Sequence, residues 1–195
     1  MDNKALFKLT YGVFVLGTTA GDKMNACITN TAMQVASNPD RIAICCINAN
    51  YTCDLIKESG TFALTLLDQT CTFETIQHFG FQSGRDVDKF ADLTPQIDSL
   101  GNPYLGYQAC AVISGKVVDS LDLGSHTMFI AEVLAINVDD KYIDKNGAFD
   151  ISKCNLITYS NGGYYSLGKK IGKFGYSVAK KKKKRKNTNK SGKNC

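Results

Sequence analysis

"MNACITNTAMQVASNP", residues 24–39, decides how the rest of the chain is read. It reads as extended chain, yet neither face alternates cleanly between apolar and polar, as a half-buried strand should. Ala26, Ile28, Asn30, Ala32 and Gln34 would share one face, and Asn25, Cys27, Thr29, Thr31 and Met33 the other. Short hydroxyl and amide side chains in such a strand need something to face that is neither oil nor open water. Upstream, "YGVFVLGTTA" is a second extended run, and Ala20-Gly21-Asp22-Lys23 between the two is a hairpin signal. Downstream, Asn38-Pro39-Asp40 marks a turn, because the residue before proline is biased away from helix. "RIAICCIN" is then a short apolar run suited to a central strand.

Further outward the elements stay short. "YTCDLIKESG" is expected to be helical, with Thr52 as N-cap, Leu55 and Ile56 facing inward and Gly60 as the stop. "TFALTLLD" returns as a strand with Phe62, Leu64 and Leu66 on one face. A second short helix is expected from Cys71 to Phe79, with Phe73, Ile76 and Phe79 apolar, followed by an irregular charged segment, "GFQSGRDVDKFADLTP". "YQACAVISGKVVDS" and "SHTMFIAEVLAINV" flank "LDLG" as an antiparallel pair. The glycine- and tyrosine-bearing segment 155–178 reads as a covering arm rather than a core element. Adjacent hairpins without crossover helices disfavour a parallel doubly wound sheet. The fold class expected is therefore mainly β, an antiparallel β-barrel with helical cover.

The chain has 195 residues, which suits one domain with a tail. Its net charge of +5 is concentrated: residues 180–195 hold nine Lys or Arg and no acid, leaving the body near −4. That argues against a nucleic-acid-binding body. We expect a domain over 1–179, with 168–179 as a C-terminal arm, and a disordered Lys-rich tail over 180–195. The tail would solubilise the chain, or contact polyanions, an anionic membrane surface or an acidic electron-transfer partner. The eight cysteines include no C-x-x-C pair, and most lie in apolar runs, as reduced thiols of a cytoplasmic protein do. No signal peptide and no 18-residue apolar run is visible, so no integral membrane association is expected.

Four stretches carry the chemistry. Beside residues 24–39, "NANYTCDLI" places Asn48, Asn50 and Thr52 where a strand enters a helix, and free N–H groups there suit an anion. "HFGFQSGRDVDKF" brings Arg85 and Lys89 among Ser83, Gly84 and Asp86, where a guanidinium fork and a point charge suit phosphate. "GSHTMFIAEV" holds His126; His78 is read as structural, and two histidines without acidic or thiol spacing give no metal site. There is no nucleophile elbow, no H-E-x-x-H, no G-K-[ST] loop and no G-x-G-x-x-G. What remains suits a cofactor that carries the hard chemistry itself.

These stretches, with "LTYGVFVLGT", resemble the flavin reductase-like, FMN-binding split-barrel family of flavoredoxins and the flavin domain of high-molecular-weight rubredoxins, over roughly residues 4–167. The resemblance implies a Greek-key antiparallel barrel that forms a homodimer and holds FMN near the dimer interface. It implies that Asn25, Ala26, Cys27, Ile28, Thr29 and Asn30 line the isoalloxazine ring, and that Thr31, Asn48, Asn50 and Thr52 serve the ribityl chain and phosphate. It also implies that Ser83, Gly84, Arg85, Asp86 and Lys89 form a loop over the cofactor, and that His126 lies on the nicotinamide side. Ser125 stands where an acidic residue is common, which weakens the case for nicotinamide use. The activity implied is that of an NAD(P)H:flavin oxidoreductase, passing electrons from NADH or NADPH through FMN to free flavin, a rubredoxin-like or iron–sulfur partner, oxygen or a ferric chelate. The alternatives are a non-enzymatic FMN electron carrier reduced by a protein partner, and a basic-tailed binding module with a vestigial pocket.

Overall fold

The computed structural model describes residues 3–172 and 175. The tail 180–195 and half of the 168–179 arm lie outside the described residues. In chain order the elements are β1 (Thr10–Gly12), β2 (Phe14–Ala20), β3 (Lys23–Thr29), β4 (Ala32–Ser37), β5 (Asp40–Ile47), α1 (Tyr51–Ser59), β6 (Thr61–Leu67) and α2 (Phe73–Gly80). There follow β7 (Gln96–Ile97), β8 (Pro103–Tyr104), β9 (Ala109–Asp122), β10 (His126–Val138), β11 (Ile157–Ser160) and β12 (Gly163–Ser166).

Seven strands form one antiparallel sheet in the order β3-β2-β6-β9-β10-β5-β4. Its two outermost strands, β3 and β4, are consecutive in sequence. The sheet therefore has to curl until its ends meet, and register shifts help it to: β10 slips against β9 between Ile130 and Ala131 and again between Val133 and Ala135. The connection β5–α1–β6 crosses from one side of the order to the other, as in a Greek key.

The stretch 24–39 is not one run. It breaks at Asn30-Thr31 into β3 and β4, and β4 then turns at Asn38-Pro39 to pair with β5. The hairpin at residues 20–23 forms as expected, with Ala20 opposite Lys23. β3 is buried on both faces, which is why it does not alternate. Cys27 packs inside the barrel with Leu16, Ile44, Cys46, Phe62 and Phe129, while Ala26 packs outside it with Val15, Leu67, Phe79 and Ile157.

α1 reaches into the barrel core through Cys53 and Ile56 and ends at Gly60, whose φ of 69° is the left-handed conformation a helix stop requires. Its N-cap is Asn50, not Thr52; Thr52 lies inside the helix and is fully buried. α2 buries Ile76 and Phe79 but leaves Phe73 exposed, because the helix covers β3 with one narrow face. The segment 155–178 supplies β11 and β12; β11 pairs with β1 on one side and β12 on the other in a separate three-stranded sheet.

One buried carboxylate ties the far end together. Asp68 accepts from Thr70 N–H at 2.8 Å, the Tyr142 hydroxyl at 2.7 Å and Lys141 Nζ at 3.3 Å. Burial pushes its pKa up, but the bonds from Thr70 and Tyr142 and the charge of Lys141 outweigh burial and hold it below the ordinary value. A carboxyl depressed in the fold stabilises above its unfolded pKa, and that contribution fades as pH falls through the folded one. Asp68→Asn should cost about 1–3 kcal/mol at neutral pH. The gap from the parent should close on acidification, read by urea denaturation across pH.

Candidate functional site

The barrel is split between β3 and β5. These strands approach each other where Thr29 meets Cys45, yet no backbone ladder joins them. Isolated side-chain and backbone hydrogen bonds hold this edge of β3 to β5 and α1 instead. The Thr29 hydroxyl donates to Cys45 O at 3.2 Å, and Cys45 N–H donates to Thr31 O at 3.1 Å. Cys27 and Cys46 pack in one core cluster beside the split. Asn25 Nδ2 donates to the Thr52 hydroxyl at 2.9 Å. The short polar face of the opening stretch is therefore a seam.

Along this seam opens a cleft of about 370 Å³. β3 and the bend give it Cys27, Ile28, Thr29, Asn30 and Thr31; β5 gives Cys45, Cys46 and Ile47; Asn50 and His126 stand at its polar margin. Val13, Phe81, Tyr159 and Tyr164 form an apolar and aromatic wall. β3 ends the sheet order, so its outer edge offers backbone groups that no strand takes. The Asn50 side chain makes no cap bond, which leaves the N–H groups at the start of α1 free of a side-chain partner.

Of the expected residues, the cleft gathers Cys27, Ile28, Thr29, Asn30, Thr31, Asn50 and His126. The structure places the others elsewhere. Ala26 is sealed in the outer core, and Asn25 and Thr52 are buried against each other. Asn48 donates to Gly124 O at 2.8 Å and accepts from the Thr127 hydroxyl at 2.6 Å, so it ties α1's approach to β10. Lys89 is 3% exposed and donates to Ala26 O and Phe79 O, both at 2.9 Å. It is a clamp between the 81–95 segment, β3 and α2 rather than a free point charge.

Arg85 is ion-paired with Asp54 on the first turn of α1 and lies over the Tyr51 ring. Gly84 packs against Asn25: a Cβ there would stand 2.3 Å from Asn25 Oδ1. Ser83 starts the turn, accepting from Arg85 N–H at 3.1 Å. Asp86, with Gly84 and Arg85, lines a second recess of about 400 Å³ next to Tyr51. The Ser83–Lys89 loop thus lies over the helix start, beside the cleft.

His126 opens β10, and its Nδ1 is 2.8 Å from the Ser125 hydroxyl. His78 is structural as expected, bonded to Lys89 O at 2.7 Å. Cys45, Cys46, Phe81, Tyr159 and Tyr164 were not anticipated as cleft residues. One signal was available: Asn161-Gly162, both at positive φ between paired Ser160 and Gly163, is a hairpin turn that brings Tyr159 and Tyr164 together. Among the described residues no three His, Cys, Asp or Glu side chains converge to hold a metal ion, and no helix is long and apolar enough to cross a membrane.

Residues 6–168 match the family described as flavin reductase like domain. The chain is 35% identical over 133 residues to a high molecular weight rubredoxin of Moorella thermoacetica, covering 68% of this chain and 58% of the relative. It is 33% identical over 138 residues to a ferric-chelate reductase (NAD(P)H) of Archaeoglobus fulgidus, covering 71% of this chain and 82% of the relative. The flavoredoxin structure of Desulfovibrio vulgaris (Miyazaki F) superposes with a TM-score of 0.76 at 27% identity, over 87% of this chain and 93% of that one. The chain belongs to the flavin reductase-like domain family, and its mainly β antiparallel architecture is the split barrel of that family.

The seam makes a direct test. Thr52→Val keeps the shape but leaves the buried Asn25 amide without its acceptor. It should lower stability by about 1–3 kcal/mol, read as a shifted urea midpoint with unchanged slope.

Proposed function

We propose that this member of the flavin reductase-like family binds FMN in the cleft at the barrel split and passes electrons from NADH or NADPH to a separate acceptor. The observation that carries this reading is the cleft's division of labour. An apolar and aromatic wall, an unpaired strand edge and a helix start with no side-chain cap meet in about 370 Å³. A flat ring with hydrogen-bonding groups along one edge needs the first two, and a terminal phosphate needs the third. The residues present fit that group.

Bound flavin would supply the ring that takes and releases electrons. The chain's own residues would do the rest. Ile28, Phe81 and the two tyrosines exclude water from the ring faces. The outer edge of β3 presents backbone donors and acceptors to the ring's polar edge. The Lys89 ammonium, fixed on Ala26 O, sets a positive charge behind that edge and favours negative charge developing in front of it. The N–H groups at the start of α1 hold the phosphate, and Arg85 can exchange its exposed pairing with Asp54 for the same anion. His126, steadied at Nδ1 by Ser125, borders the open side from which a nicotinamide would approach.

The relative named as an NAD(P)H ferric-chelate reductase supports the enzyme reading. The carrier reading is supported by Ser125, a neutral neighbour for His126, and by the flavoredoxin at 27% identity. The acceptor reading includes a rubredoxin-like partner, since a rubredoxin-named protein is among the relatives. A homodimer is also part of the proposal. Met33, Val133 and Ile136 line an apolar groove of about 290 Å³, with Met33 and Ile136 more than half exposed, and a second copy would cover it. Ile136→Asp should shift sedimentation from dimer to monomer; a parent that sediments as a monomer overturns this.

Purified protein should take up FMN with quenched fluorescence. Mixed without oxygen, NADH or NADPH should bleach the oxidised-flavin band within a catalytic time. Bleaching by a reduced ferredoxin alone selects the carrier reading, and a protein that never takes up FMN overturns both. Arg85→Ala should weaken FMN binding about tenfold, the loss of one charge-assisted contact. His126→Ala should slow bleaching by NAD(P)H about tenfold and leave FMN affinity unchanged.

A further inference from the structure

Three cysteines line the cleft, Cys27, Cys45 and Cys46, and the flavin reading makes no use of their thiol chemistry. Cys27 on β3 and Cys46 on β5 are the two cysteines that both line the cleft and belong to one packed core cluster. We propose that Cys27 and Cys46 form a redox-active dithiol at the cleft floor, with Cys27 as nucleophile and Cys46 as resolving thiol, which peroxide converts to a disulfide.

The charge environment singles out Cys27. The Lys89 ammonium is buried, its two partners are neutral carbonyls, and no carboxylate pairs with it among the described residues. An uncompensated buried cation is expensive. The acidic group on which its charge acts is Cys27, one residue beyond the carbonyl it binds. The bond from the Cys46 thiol, with further help from the Thr52 hydroxyl and the Lys89 charge, overcomes burial and holds Cys27 below the ordinary thiol value. Cys46, beside Cys27 and Cys53 and buried, is pushed up and stays a protonated thiol. Cys45 also lines the cleft, but burial pushes it up and no cation offsets this. Cys53 is brought down to about 7 by its bond from Cys46, but it is fully buried and does not reach the cleft. Nucleophilic cysteines are those with thiolate character, a cationic neighbour and access. Cys27 alone combines all three.

The chemistry balances. The Cys27 thiolate attacks one oxygen of hydrogen peroxide; the O–O bond breaks, hydroxide leaves and Cys27 becomes a sulfenic acid. The Cys46 sulfur then attacks Cys27, its thiol proton leaves with the displaced hydroxide as water, and the S–S bond forms. Two electrons pass from the sulfurs to peroxide. The source of peroxide rests on the flavin reading, since reduced flavin exposed to dioxygen yields it in the same cleft. The dithiol rests only on this chain's residues. The product would join covalently two strands that have no ladder between them.

The full-length protein without added flavin is treated with hydrogen peroxide, alkylated and mapped by mass spectrometry. The parent should yield a Cys27–Cys46 cross-linked peptide. Cys46→Ser should instead leave a sulfenic acid at Cys27 that dimedone captures, and Cys27→Ser should give neither product. Free alkylation of both Cys27 and Cys46 after peroxide, or oxidation that lands on Cys45 or joins Cys46 to Cys53, overturns the proposal. In the FMN-loaded protein with NADH in air, the cross-link should form without added peroxide and be suppressed by catalase. A protein that forms the cross-link but takes up no FMN sinks the flavin reading alone. One that binds FMN and keeps both thiols sinks the dithiol alone.

Discussion

The structure depends on two strands, β3 and β5, that meet at a split with no backbone ladder between them. Thr29 bonds to Cys45 across the split, Cys27 and Cys46 pack in the same core cluster, and Asn25 ties this face of β3 to Thr52 on α1. A backbone ladder would have closed the barrel and left no cleft. Longer apolar side chains would have closed it too, by filling the gap. Short side chains with one donor or acceptor each can satisfy buried partners and still leave room. This accounts for a strand that is polar on its inner face and yet almost wholly buried.

The same split sets the electrostatics. β3 is an edge strand, and an edge inside a protein leaves backbone groups to be satisfied. Lys89 satisfies one of them and in doing so brings an ammonium into the interior. The loop that carries it must lie flat on β3 and α1. Gly84 permits that, because its missing Cβ is the space Asn25 occupies. The Arg85–Asp54 pair then holds the loop to the first turn of the helix, although at nearly half exposure it contributes little to stability. The loop is therefore built into the split, and its cation is a fixed part of the cleft's field.

What the sequence made legible follows the range of the interactions. Hairpins and helix stops are local, so Ala20–Lys23, Asn38-Pro39 and Gly60 could be read from two to four residues each. The bend at Asn30-Thr31 could not, because nothing in those two residues says that the sheet's ends must meet there. Thr52 looks like a helix cap by its neighbours and is claimed instead by Asn25, 27 positions earlier. Lys89 has the composition of a surface charge and the location of a core residue, and only the packing of two carbonyls around it decides between them. Phe73 has the helical spacing of an inward residue, but α2 covers too little of β3 to bury it. The site was legible where the chain is continuous, from Cys27 to Thr31. It was not legible where the cleft wall comes from a hairpin more than 100 residues away.

The seam and the cleft share residues, and this limits how any one residue can be assigned. Thr29 bonds across the split, Cys27 packs in the core cluster beside it, and both line the cleft. A ring that packs against β3 needs small side chains there for close approach, and the bridges need small side chains to reach their partners without strain. The two requirements select the same residue types, so size alone cannot say which is being met. Chemistry can. Close approach would be served equally well by alanine or glycine, as Ala26 serves the outer core. Bonding to a buried partner requires a donor or acceptor, and Asn25 supplies one toward α1 and Thr29 one toward β5. The polar character of the strand is therefore owed to holding the barrel's two edges together, and the room for a ligand is what that arrangement leaves open.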